Sequence, residues 1–363
     1  MAASRRFLVG GGSIMKSGEK DNRSVRRRIT LKSVADHVGL TPSTVSAVLN
    51  NSPASASVPQ STKDRILAAA HELNYRPNFF ARSLRVKRSF TVGVIAQIGD
   101  AYDSMVIGGI EEYLRQHGFF FLTAAHRHDE QVMENYAHLL MERGVEGFIT
   151  VDAPVNKPLP LPTVAIAGHR HVEGVTNIVL DHHQGASLAL KHLLELGHKK
   201  IAAMKGPPDS SDSADRWKAV RDVSHELGIQ FRPELAVQLE GDCSTPEVGY
   251  PYTKRLLETK ENFTALFAFN DNSAIGAISA IHEARLRVPE DISVVGFDDI
   301  QAAAYSSPSL TTVRQPLRKM GEIAARTLLN RIEHPDRSTA EILTEPELVV
   351  RKSTARACER AKA

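Results

Sequence analysis

From Phe90 onward the chain alternates short, continuous apolar runs with helical patterns, and this rhythm limits the fold more than any other feature. A strand covered on both faces reads as an unbroken apolar run, and parallel strands joined by helices are covered in that way. The first series runs "TVGVIAQI", a helix over "SMVIGGIEEYLRQHG", "FFFLTAA", a helix over "QVMENYAHLLMERG", then "VEGFITVD" and "TVAIAG". A second follows with "NIVLD", "QGASLALKHLLELG", "KKIAAMKG", "ADRWKAVRDVSHELG", "LAVQLEGD", "YTKRLLE", "TALFAFN", "SAIGAISAIHEA" and "DISVVGFDD". Two such series predict two doubly wound α/β lobes, with ligands at the C-terminal strand ends between them. A chain of 363 residues has room for this body and a further small domain.

That domain precedes the body. Thr30 can cap a helix over "LKSVADHV", where Leu31, Val34, Ala35 and Val38 share a face, and Gly39 can end it. Thr41 can cap the next helix, with Pro42 at its first position, where a missing N–H costs nothing. In that helix Val45, Val48 and Leu49 point inward, and Pro42, Ser43, Ser46, Ala47 and Asn50 point outward. A third helix is expected over "QSTKDRILAAAHELNY", with Ser61 or Thr62 as cap and Ile66, Ala69, Ala70 and Leu73 on one face. Helix, tight turn, helix and a supporting helix is the helix-turn-helix arrangement.

Charge supports a polyanion as the partner of this head. Residues 1–90 hold 16 Lys and Arg against 5 Asp and Glu, a net of +11, while the rest of the chain nets −8. The segment "TPSTVSAVLN" inside that basic stretch has no charged residue. Small outward residues let a backbone approach base edges, while Arg26, Arg27, Arg28, Lys32, Lys63 and Arg65 can supply phosphate attraction that carries no sequence information. A small helical bundle for protein contacts is the alternative reading.

With "YRPNFFARSLRVKRSFTVGVI" added to "ITLKSVADHVGLTPSTVSAVLNN", the chain resembles the lac repressor/galactose repressor family of bacterial transcription regulators from about Ile29 to about Thr354. The resemblance implies an all-α helix-turn-helix DNA-binding domain followed by an α/β, periplasmic-binding-protein-like core of two doubly wound lobes. It divides the chain into a disordered basic extension (1–28), the head (29–76), a hinge helix and linker (77–89), the two-lobed effector-binding and dimerisation domain (90–350) and a flexible tail (351–363). It makes "NFFARSLR", from Asn78, the hinge helix, which folds when two protomers sit on DNA. Leu84 is then the wedge driven into the minor groove, with Arg82 and Arg85 on phosphates; such a wedge costs unstacking but bends the duplex around more protein. The implied regulator binds a palindromic operator as a homodimer, with a tetramer as the larger alternative, and is a cytoplasmic, nucleoid-associated repressor released by a small-molecule effector. One departure stands out. Many relatives carry arginine or another long side chain where this chain has Ala47, so a bidentate contact to guanine is missing there. Reading then falls to the hydroxyls of Thr41, Ser43, Thr44 and Ser46, to apolar contact of Pro42 or Ala47 with thymine methyls, and to DNA shape.

For the cleft, the resemblance assigns an effector-bonding aspartate to Asp271 in "FAFNDNSAIG", beside Asn270. It assigns an arginine to Arg216, a strand-end arginine to Arg170, and the first cleft loop to Tyr102 and Asp103. These groups suit a polyhydroxylated sugar, which needs several oriented hydrogen bonds. Cys243 stands where relatives often stack an aromatic on the ligand ring, which favours a non-ring or phosphorylated compound. Trp217, next to Arg216, reads as core.

Other chemistries find little support. Cys243 and Cys358 are far apart, which excludes a disulfide framework and suits a reducing compartment. "LVGGGS" follows no strand and opens no helix, so it is not a phosphate loop. "HRH" at 126–128 and "DHH" at 181–183 lack partners at ligand spacing and read as surface histidines. No cofactor, secretory leader or membrane span is expected, and translation from Met15 is an alternative start. A transport receptor would share the lobes but not the basic head, unless that head were a non-specific nucleic-acid tether. An α/β enzyme would need a catalytic constellation that the sequence does not offer.

Overall fold

The computed structural model describes residues 29–76, 83, 86–127, 129–153, 155–168, 171–208, 210–241, 243–259, 261–335 and 341–358, in two units divided between Val86 and Lys87. In the first unit, α1 (Leu31–Val38) starts with reciprocal bonds: Ser33 N donates to Thr30 Oγ1, and Thr30 N donates to Ser33 Oγ. Gly39 closes it at φ +70°, a conformation that disfavours any residue with a Cβ. α2 (Pro42–Leu49) follows α1 after three residues, and α3 (Gln60–Glu72) packs beneath both. Val34, Ala35, Val45 and Ile66 are fully buried at their junction. The cap expected from Ser61 or Thr62 does not form, because α3 begins earlier, directly after Pro59, and both residues lie within its first turn. Arg65 stays exposed while its Nη2 donates to Val38 O at 3.0 Å and so closes the end of α1.

The second unit holds two six-stranded sheets. Its elements in chain order are β1 (Thr91–Ala96), α4 (Ala101–Gln116), β2 (Phe120–Ala125), α5 (Glu130–Glu142), β3 (Phe148–Val151), β4 (Thr163–Ile166) and β5 (Val175–Leu180). There follow α6 (His182–Glu195), β6 (Ile201–Lys205), α7 (Ser211–Glu226), β7 (Ala236–Gln238), α8 (Gly249–Glu258), β8 (Ala265–Phe267), α9 (Asp271–Glu283), β9 (Ser293–Asp298) and α10 (Gln301–Tyr305). The chain ends with β10 (Thr311–Arg314), α11 (Leu317–Glu333), β11 (Glu341–Thr344) and β12 (Glu347–Val349). Sheet order is β11-β5-β4-β3-β1-β2 in the first lobe and β12-β10-β9-β8-β6-β7 in the second, parallel throughout except for β12 against β10. The chain passes between lobes three times: after β5, after β10 and between β11 and β12.

In the first lobe α11 crosses α4 so closely that their backbones touch. A Cβ built on Gly109 would lie 1.9 Å from Arg318 O, and one on Gly321 would lie 2.1 Å from Val106 O. Gly321→Val is therefore expected to force the helices apart and cost about 1–3 kcal/mol. Urea denaturation of that variant beside Ile323→Val, a half-buried neighbour, checks this.

Two sequence expectations need correction. The run "FFFLTAA" forms β2, but as an edge strand, not a buried one: Phe120 is 68% exposed. The tail is not loose from residue 351. Ser353 is fully buried, its hydroxyl donating to Val294 O, and its carbonyl accepts from Val294 N. His198 contacts Thr264 Oγ1 and Ala355 O at 2.9 Å each, and His192 contacts Thr354 Oγ1 at 3.0 Å. Burial lowers the pKa of both histidines, so the folded chain binds fewer protons than the unfolded one below about pH 6.5. Their contribution is present above that pH and lost as pH falls. Amide exchange at Ala355 and Ala357, corrected for intrinsic rate, is expected to speed up on acidification through this range.

Candidate functional site

α2 presents its N-terminal end to solvent. Thr41, Pro42 and Ser43 are exposed, Thr44, Ala47 and Asn50 half-buried, and Ser46 buried. Ser46 thus leaves the outward face assigned to it: Asn50 Nδ2 donates to its carbonyl at 2.7 Å and its hydroxyl at 3.2 Å. Thr41 is the N-cap, its hydroxyl accepting from Thr44 N and lying 2.8 Å from Ser43 Oγ and 2.9 Å from Thr44 Oγ1. Of the residues expected to point outward, Ser46 is the one that is buried. Thr41→Ala is expected to destabilise the head by about 1 kcal/mol, measurable as a lower Tm, because the N3 amide loses its acceptor. Asn78, Arg82, Leu84 and Arg85, and Arg170 in the second unit, lie outside the described residues.

In the second unit the strand ends of both lobes face a cavity of about 530 Å³. The first lobe contributes Gln97, Asp100, Tyr102 and Asp103 from the β1–α4 loop and the first turn of α4, Arg127 after β2 and Asp152 after β3. The second contributes Asp212 and Arg216 on α7, Cys243 and Ser244 after β7, Phe269 and Asn270 after β8, and Asp298 at the end of β9. Arg127, Asp152 and Asp298 have φ values of +53°, +42° and +111°, a strained backbone region for residues with side chains. Such strain gathers at ligand sites, where the surrounding fold sustains it.

Arg216 anchors the second-lobe wall. It is 4% exposed, Nη1 donates to Phe269 O at 2.6 Å, and Nη2 donates to Asp212 Oδ2 at 3.1 Å. Its guanidinium carbon lies 3.7 Å from the Phe297 ring centroid and 4.7 Å from that of Phe269. Asp298 lies within its field; burial raises that carboxyl well above the ordinary range, and Arg216 pulls it partly back. Across the cleft Asp103 is pushed up to about 8, first by burial, then by Asp100 and Asp152. The Tyr102 hydroxyl is buried and raised well above its usual value, mainly by burial.

Tyr102, Asp103, Arg216, Cys243 and Asn270 therefore lie where the sequence reading put them, though Asn270 has other work. Its Oδ1 accepts from Ser273 N, capping α9, and its Nδ2 donates to Cys243 O at 2.9 Å. Asp271 is the clear error. It is fully buried behind the cleft, accepting from Thr312 Oγ1 at 2.6 Å and Ile300 N at 2.8 Å, and it is absent from the lining. On this side of the second lobe the carboxyl that reaches the lining is Asp298, one strand later, where "GFDD" closes β9; acidic residues ending a buried strand were the signal available in the sequence. His126 and His182 are not surface residues either: His126 is fully buried against Val151 O, and His182 contacts Asp212 at 3.2 Å. Among the described residues no group of His, Cys, Asp and Glu side chains is arranged to hold a metal, and no helix is long and apolar enough to cross a membrane.

Residues 30–78 match the model of bacterial regulatory proteins of the lacI family, and residues 190–354 match a periplasmic binding protein-like domain. The HTH-type transcriptional repressor PurR of Haemophilus influenzae is 34% identical over 337 residues, covering 89% of this chain and 98% of the relative. The chain belongs to the lacI family of bacterial regulatory proteins. The PurR of Aliivibrio fischeri is 32% identical over 333 residues, with 89% of this chain and 98% of the relative covered. Among solved structures, the lac repressor dimer bound to operator and the anti-inducer ONPF superposes with a TM-score of 0.79 at 28% identity, covering 91% of this chain and all of that one. The CelR–cellobiose complex superposes at 0.66 with 27% identity, covering 90% of this chain and all of that one. As a lacI-family member the protein is a helix-turn-helix transcriptional repressor and not an enzyme.

Proposed function

We propose that this repressor binds a palindromic operator as a dimer and that a small hydroxylated effector in the interlobe cleft controls that binding. One observation carries the reading: the cleft wall holds buried polar atoms without protein partners, Gln97 Oε1, Tyr102 OH, Asp103 Oδ1 and Arg216 Nε. Buried polar groups are normally satisfied, so a wall of open ones is a site awaiting a polar ligand.

A route from cleft to linker supports the same reading. Glu146, just before β3, takes a bond from Arg88 Nε at 2.8 Å and another from Phe90 N at 2.7 Å, fixing the start of β1. The opposite ends of these two strands carry Gln97 and Asp152 into the cleft. Strands of six and four residues are stiff rods of roughly 20 and 13 Å, so movement of the cleft loops reaches the residues that follow the hinge. Effector binding then biases whether two hinge segments can fold on DNA, a coupling of about 1–3 kcal/mol. Dimerisation suits the exposed edge strand bearing Phe120 and Leu122, and Tyr305, which is 82% exposed on α10.

Selection of operators from a randomised DNA pool by the purified protein tests this. A palindrome with a central flexible step is expected, and Leu84→Ala is expected to lose on the order of tenfold or more of the preference over bulk DNA while keeping the salt dependence of bulk binding. If no sequence is enriched and binding only decays with salt, the head is a polyanion tether and the proposal fails.

A further inference from the structure

One carboxylate holds the start of the second unit. Glu146 Oε2 accepts from Arg88 Nε at 2.8 Å, and Oε1 accepts from Ser89 N at 2.5 Å, Phe90 N at 2.7 Å and Ser89 Oγ at 3.3 Å. Four donors from three consecutive residues thus fill the roughly four lone-pair sites that a carboxylate offers. The Glu146 side chain is 14% exposed, which shields these bonds from competing water.

The turn it holds would not stand by itself. Lys87 has φ +54° and Phe90 has φ +49°, left-handed conformations that residues with a Cβ rarely adopt. Backbone of this kind persists where its surroundings over-determine it. Here they do. Phe90 O accepts from Phe120 N at 2.8 Å, and Thr91 O accepts from Glu146 N at 2.8 Å. The Arg88 guanidinium carbon lies 5.2 Å from the Phe90 ring centroid and 5.8 Å from that of Phe119. Residues 88–91 are thereby tied to the segments entering β2 and β3, and the division between the two units falls just before them, at Val86–Lys87.

We infer that Glu146 is a positioning residue for operator selection: by fixing where the tether to the head leaves the body, it makes the repressor accept one spacing between half-sites and reject its neighbours. This rests on the palindromic operator proposed above. Two linked heads bind with an effective concentration set by the length and stiffness of their tethers, so a short tether with a fixed end sharpens the accepted spacing and a longer one blurs it. The tether is short: ten residues, 77–86, precede Lys87 after the head. Without Glu146 it runs on to Thr91, where the pairing of β1 with β2 begins, and gains the four residues 87–90 in each protomer. Four extended residues add roughly 13 Å of reach. One base pair displaces a half-site by only about 3.4 Å along the duplex and turns it by about a tenth of a turn. A tether lengthened by that much no longer separates neighbouring spacings.

The test uses the full chain and the palindrome that selection returns, as selected and with one or two base pairs inserted at its centre. In the wild type each insertion is expected to cost at least about tenfold in affinity, read by fluorescence anisotropy. In Glu146→Ala the affinities for the three duplexes are expected to fall within about threefold of one another, with bulk DNA binding and its salt dependence as in the wild type. Glu146→Gln keeps an oxygen for the Ser89 and Phe90 amides and is expected to retain most of the discrimination. A chain with Gly-Ser inserted between Val86 and Lys87 is expected to lose it, since its tether is longer while Glu146 is intact. Discrimination that is unchanged in Glu146→Ala or in the insertion overturns the inference. Should Glu146→Ala not fold, the insertion and amide exchange in the wild type decide: exchange of the Ser89 and Phe90 amides at unprotected rates also overturns it. If selection returns no palindrome, the operator reading fails and the inference with it, an outcome distinct from these.

Discussion

Arg216→Met is expected to cost about 3–5 kcal/mol of stability and to abolish the effect of effector on operator binding. Methionine keeps most of the length but removes the buried guanidinium of the second-lobe wall. Phe269 O then loses its donor, Asp212 keeps His182 at 3.2 Å as its described partner, and Asp298 retains only its bond from Gln315 Nε2 at 2.7 Å. Two carboxyls in a partly dry wall lose a counter-charge at once, which is why the cost exceeds that of a lost surface pair. Lys218→Met on the same helix is the control. Its ammonium is exposed and pairs with exposed Asp222 at 2.9 Å, so its loss is expected to stay within about 0.5 kcal/mol. Urea denaturation of both variants separates the cases; equal, small losses contradict the role given to Arg216.

Asp103→Asn is expected to gain stability over the wild type as pH rises. In the unfolded chain this carboxyl ionises near 3.8, whereas in the fold it is pushed up to about 8. Its contribution is fully present below the lower value and is lost as pH rises through the upper one. Asparagine carries no charge, so the gap in favour of the variant grows across that window by at most about 1.4 kcal/mol per pH unit and flattens above about 8. Midpoints of denaturation at about pH 5, 7 and 9 read this directly. Parallel profiles for the two proteins mean that Asp103 ionises normally and that the cleft is wetter than its burial suggests.

The sequence made the architecture legible because both signals are local. Unbroken apolar runs mark strands covered on two faces, and Thr30, Gly39, Thr41 and Pro42 mark helix ends through bonds only a few residues apart. What depended on distant pairing was harder. Nothing near Asp271 reveals that Thr312 and Ile300 claim its carboxylate, nor near Arg65 that Val38 O lies within reach. The burial of His126 and the docking of Ser353 are likewise products of assembly. The cleft was legible as a place, at strand ends between two series, but the gathering of its acidic side chains was not. Asp100, Asp152, Asp212 and Asp298 come from four separate segments, and only the folded chain brings them to one lining.

The central claim is that one cleft controls one reading head. Its most direct test is fluorescence anisotropy of the selected operator duplex, titrated with a panel of small hydroxylated compounds, for wild type and Arg216→Met. Similar operator affinity is expected for both proteins without effector, with a shift of about tenfold or more in the wild type alone. An equal shift in the variant, or none in a wild type that binds the effector, contradicts it.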